Sequence, residues 1–170
     1  MLKEALEKSL KFEKEISSFY LNRGQQAESI LVRKLFFELA KQEIDHMMFI
    51  VEAYTTMEKN ETALPAVATA PDIEPEIKAF FERVGEPAQK KNATNVEAVE
   101  AAMKLERAGY AMYEKFAAET LTPQEKSFFK GLLVQEAKHL ESLDNIHFYL
   151  TGTGDWLELD ESKRWSWMNL

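Results

Sequence analysis

The sequence Glu43-Ile44-Asp45-His46 places a glutamate and a histidine three positions apart. On a helix, residues with this spacing share a face, so one metal ion could bind both side chains. The same step recurs at Glu136-Ala137-Lys138-His139. Each copy has a further glutamate 30 positions before its first residue, at Glu13 and Glu106. The chain therefore contains one pattern twice.

A tyrosine follows each of these upstream glutamates by seven positions, at Tyr20 and Tyr113. Seven residues are about two helical turns, so each tyrosine shares a face with its glutamate. We expect Tyr20 and Tyr113 to act in catalysis by hydrogen-bonding ligand carboxylates or by supplying a proton. The alternative is that both are ordinary core tyrosines.

Hydrophobic residues recur with a helical period in four segments, which are residues 2–26, 29–58, 94–120 and 122–152. All six glutamates and histidines of the repeated pattern lie within the apolar stripes. Residue 28 is the midpoint of the first glutamate pair and residue 121 that of the second, and both fall at predicted turns. The sequence therefore predicts an all-α four-helix bundle of two antiparallel hairpins, with the glutamates of each hairpin at the same height.

Residues 59–95 differ from the helical segments because they contain four of the five prolines. We interpret them as a long crossover with one short helix over residues 73–84, with Asp72 as its candidate N-cap and Gly85 after it. The predicted domain is then a bundle over residues 1–152, followed by a tail over residues 153–170. The tail contains three tryptophans and no readable period.

The predicted core positions bring four carboxylates together, and buried carboxylates repel one another unless cations neutralise them. The stripes contain no inward lysine or arginine, so two divalent ions are the natural counter-charge. Carboxylate and imidazole ligands with open positions favour iron or manganese. Structural zinc prefers a closed set, usually with sulfur, and calcium rarely takes histidine. We expect two iron ions, with manganese or a mixed pair as the alternative.

Composition excludes several other classes of protein. The formal net charge of −8 argues against nucleic acid and anionic membranes as partners. No apolar run approaches the roughly 18 residues of a membrane span, and the acidic, helix-like start does not resemble a signal peptide. The chain has no cysteine, which excludes disulfides and thiolate-bound metals and fits a cytoplasmic protein.

Two stretches resemble the ferritin-like di-iron carboxylate superfamily, and within it the rubrerythrin-like branch. They are Lys11-Phe12-Glu13-Lys14-Glu15 with Phe19-Tyr20, and Leu105-Glu106-Arg107 with Met112-Tyr113. The resemblance covers residues 2–58 and 96–150. It implies a ferritin-like bundle with two iron ions bound by Glu13, Glu43, His46, Glu106, Glu136 and His139.

Two features depart from what the resemblance to rubrerythrins implies, and one position differs from bacterioferritin, whose set of six ligands the chain also resembles. Rubrerythrins have a second glutamate one turn after the third-helix ligand, where this chain has Gly109. Gly109 either leaves an opening towards the metals or allows a close helix–helix contact. Ile44 stands where bacterioferritin has its haem-binding methionine. Because the chain has no cysteine, it also lacks the rubredoxin-type iron site of classical rubrerythrins, so electrons would come from a separate donor protein.

The leading hypothesis is a di-iron oxidoreductase that reduces peroxide or dioxygen. The alternatives are a ferroxidase or iron-storage protein of the bacterioferritin type and a binding protein that uses metal only for stability. We expect a homodimer or another small homo-oligomer. Gln42 and Gln135 each precede a ligand glutamate, and we expect both to orient the histidines.

Overall fold

The computed structural model describes residues 1–59, 64–68, 73–84 and 93–152. Over these residues the chain forms five helices and no strand: α1 (Leu2–Gln26), α2 (Ile30–Glu58), α3 (Glu74–Val84), α4 (Ala93–Glu119) and α5 (Pro123–Thr151). The predicted all-α bundle is confirmed. The candidate caps Asp72 and Gly85 and the tail 153–170 lie outside the described residues. None of the helices in the described part of the chain is both long and apolar enough to cross a membrane.

Side-chain caps start the second helix of each hairpin. Ser29 Oγ accepts a hydrogen bond from the backbone N–H of Val32 at 3.3 Å. Thr122 Oγ1 accepts one from the N–H of Glu125 at 3.2 Å, and proline occupies the first turn of α5. Such caps satisfy N–H groups that have no partner inside the helix, so they set where each turn ends.

The start of α4 differs slightly from the prediction. The capping-box spacing beginning at Thr94 indicates a helix start there, but α4 already begins at Ala93. Thr94 therefore lies inside the first turn, and the predicted crossover 59–95 overlaps the first residues of the helix. A difference of one residue is within the usual variation of helix ends.

The helices pair as predicted, with α1 on α2 and α4 on α5, and the two hairpins meet through α1 with α4 and α2 with α5. Contacts of Tyr20 with Glu106 and of Tyr113 with Glu13 show that α1 and α4 run antiparallel. Residues of the crossover cover the outside of the bundle. Val67 packs at Gly131 of α5, and Ile77 of α3 packs into the core.

The apolar core is divided into two clusters along the bundle. The first contains residues 16–40 of the first hairpin and residues 98–103 and 140–150 of the second, together with α3. The second contains Leu6 and Ile50 of the first hairpin and residues 113–132 of the second. Between these clusters every bundle helix contributes a buried glutamate, so a polar layer crosses the middle of the core.

Candidate metal centre

The polar layer consists of six side chains with no exposed surface, contributed by all four long helices. They are Glu13 of α1, Glu43 and His46 of α2, Glu106 of α4, and Glu136 and His139 of α5. The structure thus brings together all six residues of the repeated sequence pattern. Their role as metal ligands stays a prediction.

His46 lies among three of the carboxylates. Its Nδ1 is 2.8 Å from Glu43 Oε2, 3.4 Å from Glu136 Oε1 and 3.7 Å from Glu13 Oε1. The donor atoms of these four side chains lie within 4.8 Å of one another. One cation could therefore contact all four residues.

His139 forms the matching half of the layer. Its Nδ1 is 3.0 Å from Glu43 Oε1 and 3.5 Å from Glu106 Oε2. The donor atoms of Glu106, Glu136 and His139 also lie within 4.8 Å of one another. The two imidazole rings stack with centroids 5.3 Å apart.

Two carboxylates are shared between the halves. Glu43 directs one oxygen to each histidine, and Glu136 belongs to both groups of donor atoms. Glu13 and Glu106 each belong to one group. The geometry therefore suits two adjacent cations that share Glu43 and Glu136.

The oxygen and nitrogen atoms of the layer are better suited to binding cations than to bonding with one another. Nine buried oxygen and nitrogen atoms of these six side chains form no well-aligned hydrogen bond within the described part of the chain, and the contacts among them are ion pairs between imidazoles and carboxylates. There, the ion-pair partners of the four carboxylates are the two histidines, with no lysine or arginine. Buried polar atoms are rarely left in this state, because each costs free energy without a partner. Two divalent cations would satisfy both the charge and the vacant donor atoms.

Protons take the place of cations in the metal-free layer. Burial, and then the charge of Glu43, raises the pKa of Glu13 to about 7. Burial and the charges of Glu106 and Glu13 raise the pKa of Glu136 well above its ordinary value. Both carboxyl groups therefore bind a proton more readily without metal than an exposed glutamate does.

The histidines and Glu43 form the charged part of the layer. Burial opposes protonation of His139, but the charges of Glu43 and Glu106 outweigh it and raise its pKa to about 9. The pKa of His46 is likewise raised well above its ordinary value by Glu43, against the effect of burial. Burial would raise the pKa of Glu43, but the two imidazolium charges hold it well below the ordinary value.

Tyr20 and Tyr113 connect the two hairpins at the layer. The Tyr20 hydroxyl donates to Glu106 Oε1, and the Tyr113 hydroxyl donates to Glu13 Oε1. Burial and the adjacent carboxylate raise the pKa of each tyrosine well above its ordinary value, so each hydroxyl keeps its proton. The expected contacts with carboxylates are present, whereas a catalytic role stays a prediction.

The two glutamines differ, contrary to the expectation that both orient histidines. Gln42 Oε1 lies 2.8 Å from His139 Nε2. The Gln135 side chain instead donates from Nε2 to the carbonyl of Ala68 at 2.6 Å. The sequence gives no sign of this contact, because it depends on the path of the crossover along α5.

Gly109 faces the layer and also lies at a close contact. A Cβ atom at this position would be 2.9 Å from Glu136 Oε2 and 2.8 Å from Phe12 Cε1. The half-buried ring of Phe12 thus lies against Gly109, as the close-contact interpretation predicts, while the glycine also faces the carboxylate of Glu136. The sequence pattern gives no sign that Phe12 belongs to the site, because its contact with Gly109 depends on how α1 packs against α4.

A sequence model of the rubrerythrin family matches residues 4–147, which include all six residues of the layer. Neither a curated protein nor a solved structure matches the chain significantly.

Proposed function

The chain belongs to the rubrerythrin family, and from this premise we propose that it is a non-haem di-iron oxidoreductase that reduces peroxide or dioxygen. The observation that supports this function is the buried layer of four carboxylates and two imidazoles with nine donor atoms lacking hydrogen bonds. A layer needed only for stability would be better served by apolar residues, because unpaired buried polar groups destabilise a core.

The six side chains of the layer would hold two iron ions. A manganese or mixed-metal pair is the alternative. Two ferrous ions would supply the two electrons that, with two protons, reduce hydrogen peroxide to two water molecules. The ligands of one ion would be Glu13, Glu43, His46 and Glu136, and those of the other Glu43, Glu106, Glu136 and His139.

The surrounding side chains would position the carboxylates and control protons. The hydroxyls of Tyr20 and Tyr113 hold one oxygen each of Glu106 and Glu13, which limits the rotation of these carboxylates. Each hydroxyl also keeps its proton beside the layer, where it donates a hydrogen bond to a carboxylate oxygen. The apolar clusters on both sides exclude bulk water, and Phe12 covers the side at Gly109.

The proposed reaction needs a source of electrons that reduces the metal site again. This chain has no cysteine and so no thiolate-bound iron with which to reduce the site again. We therefore propose that a separate protein donates the electrons. A cytoplasmic location stays a prediction.

We also propose that two copies associate through the exposed face of α2. Five large apolar residues are exposed on this helix, four of them spaced by seven: Ile30, Phe37, Ile44, Met48 and Val51. An apolar stripe of this length on a surface helix is typical of an interface. Ile44→Glu with Met48→Glu should convert dimers to monomers in analytical ultracentrifugation. Leu121→Glu, at an exposed leucine in the turn before α5, is the control that should leave the mass unchanged.

The test of the enzyme function begins with metal analysis of protein purified without added metal. The ferrous protein is then mixed with peroxide, and both peroxide consumption and ferric absorption are measured. Glu43→Gln should lose metal and turnover, because Glu43 lies between both histidines. The control is Glu52→Gln, which removes an exposed carboxylate from the same helix.

The outcomes of these measurements distinguish the three candidate functions. Retention of two irons and of the parent rate in Glu43→Gln would show that the assignment is wrong. Iron uptake far beyond two ions per chain, in a large shell, would favour the ferroxidase and storage alternative. A ferrous protein without any spectral response to peroxide would favour a metal-stabilised binding protein.

A further inference from the structure

We infer that the two halves of the metal layer are inequivalent and that the half with His139 and Glu106 takes the first metal ion. This inference rests on the proposed metal binding and extends it to the order of loading. It assigns a positioning role to Gln42, which lies outside the set of ligands.

Gln42 holds the imidazole of His139 from the opposite hairpin. Its Oε1 lies 2.8 Å from His139 Nε2, and an amide oxygen can only accept a hydrogen bond. The Nε2 atom of His139 therefore carries a proton. Nδ1 is then the atom left for a metal ion, and it already faces Glu43 and Glu106 at 3.0 and 3.5 Å. The ring orientation is therefore set before metal arrives, with Nδ1 directed at the carboxylates of Glu43 and Glu106.

His46 has no such support. Its Nε2 atom is buried and has no hydrogen-bond partner among the residues that the structure describes. Gln135 occupies the position on α5 that corresponds to Gln42 on α2, but its amide N–H bonds to the carbonyl of Ala68. Its Oε1 atom is buried and forms no hydrogen bond in the described part of the chain.

The crossover is the source of this asymmetry. Residues 64–68 lie against α5, where Val67 Cβ would be 2.7 Å from a Cβ on Gly131, four residues before Gln135. A side chain at residue 131 would push this segment away from α5. Gln135 thus forms a hydrogen bond to the crossover, whereas Gln42 contacts the imidazole of His139.

The expected difference in affinity follows from the value of such partners. Hydrogen bonds to metal-binding histidines typically change metal affinity by about 10–100-fold. The first ion should therefore bind roughly 10–100-fold more tightly at the His139 half than at the His46 half. Repulsion between two bound cations also separates the two binding steps, so only substitutions in each half can assign a step to that half.

The experiment titrates the metal-free full-length protein with Co²⁺ and follows ligand-field absorption and heat. His139→Ala should lose the tighter step, and His46→Ala should keep it. Gln42→Ala should weaken the tighter step by about 10–100-fold, while Gln42→Glu, which keeps an acceptor oxygen, should restore it. Gln135→Ala is the matched control and should leave the tighter step unchanged.

A second measurement separates the two glutamines by a readout that does not involve metal. Gln135→Ala should speed hydrogen exchange in residues 64–68, and Gln42→Ala should not. Equal weakening of the tighter step by both alanine variants, or its loss in His46→Ala, would overturn the inference while leaving the proposed metal site intact. A wild-type protein that binds no Co²⁺, Fe²⁺ or Mn²⁺ would remove the proposed function, and this inference with it.

Discussion

Glu13→Gln removes one negative charge from the buried layer and keeps the oxygen that accepts from Tyr113. Without metal, ionisation of Glu13 is unfavourable because burial and the charge of Glu43 raise its pKa to about 7. With metal, the same charge helps to neutralise a cation. The substitution should therefore change stability in opposite directions in the two forms.

The sign and size of the metal-free effect follow from the pKa. Glu13 has a pKa of 4.5 when unfolded and about 7 when folded. A raised folded pKa means that the stability from its neutral form is fully present below about pH 4.5 and is lost as the pH rises through 7. This loss is on the order of 3 kcal/mol, since one pKa unit corresponds to 1.36 kcal/mol. Glutamine cannot ionise, so the variant should avoid the loss.

The assay is urea denaturation of chelator-treated protein at several pH values from about 5 to about 8. The variant should be more stable than the parent by on the order of 3 kcal/mol near pH 8, with a difference that shrinks towards low pH. With metal, the order should reverse, because a loss of affinity greater than about 100-fold, at about 1.4 kcal/mol for each tenfold step, exceeds the metal-free gain.

Glu15→Gln provides the control, because Glu15 is exposed on the same helix and pairs with Lys11 at 3.8 Å. It should change stability by less than about 1 kcal/mol in either form. If metal-free Glu13→Gln shows no gain at high pH, Glu13 is not a buried, destabilising charge and the electrostatic reasoning is refuted.

Three further predictions concern the neighbours of the layer. Tyr113→Phe should lower the free energy of unfolding by about 1–3 kcal/mol in urea denaturation, because Glu13 Oε1 loses its buried hydrogen-bond donor. Tyr110→Phe, on the same helix, is the control and should lower the free energy of unfolding by less. Gly109→Ala should weaken Co²⁺ binding and lower the free energy of unfolding by up to about 2 kcal/mol, because overpacking against Phe12 and Glu136 exceeds the gain in helix propensity. Adding Phe12→Leu should recover part of the loss. Unchanged Co²⁺ binding in Gly109→Ala would contradict this prediction. Metal binding near pH 7.5 should release protons, because His139, with a pKa of about 9, must lose the proton on Nδ1 before that atom can bind a metal ion. The measurement is the calorimetric heat of binding in buffers of different ionisation enthalpy, and heats that do not depend on the buffer would contradict the prediction.

Local sequence determined most of the helical architecture. Apolar periodicity predicts α1, α2 and α5 to within about one residue of their observed ends, and side-chain caps at Ser29 and Thr122 start two of these helices. These signals act over a few residues, so they can be read without knowledge of the fold. The repeated glutamate and histidine spacing likewise identifies six residues that all become buried in one layer.

Tertiary structure decided which partner each of these residues meets. Tyr20 and Tyr113 each reach a carboxylate on the other hairpin, and Phe12 covers Gly109 across the bundle. Gln42 and Gln135 have equivalent places in the sequence pattern, yet one contacts a histidine and the other the crossover. The spacing along a helix fixes only the face on which a side chain lies. Its neighbour depends on how helices and connections pack side by side, and this is settled by contacts between residues far apart in the chain.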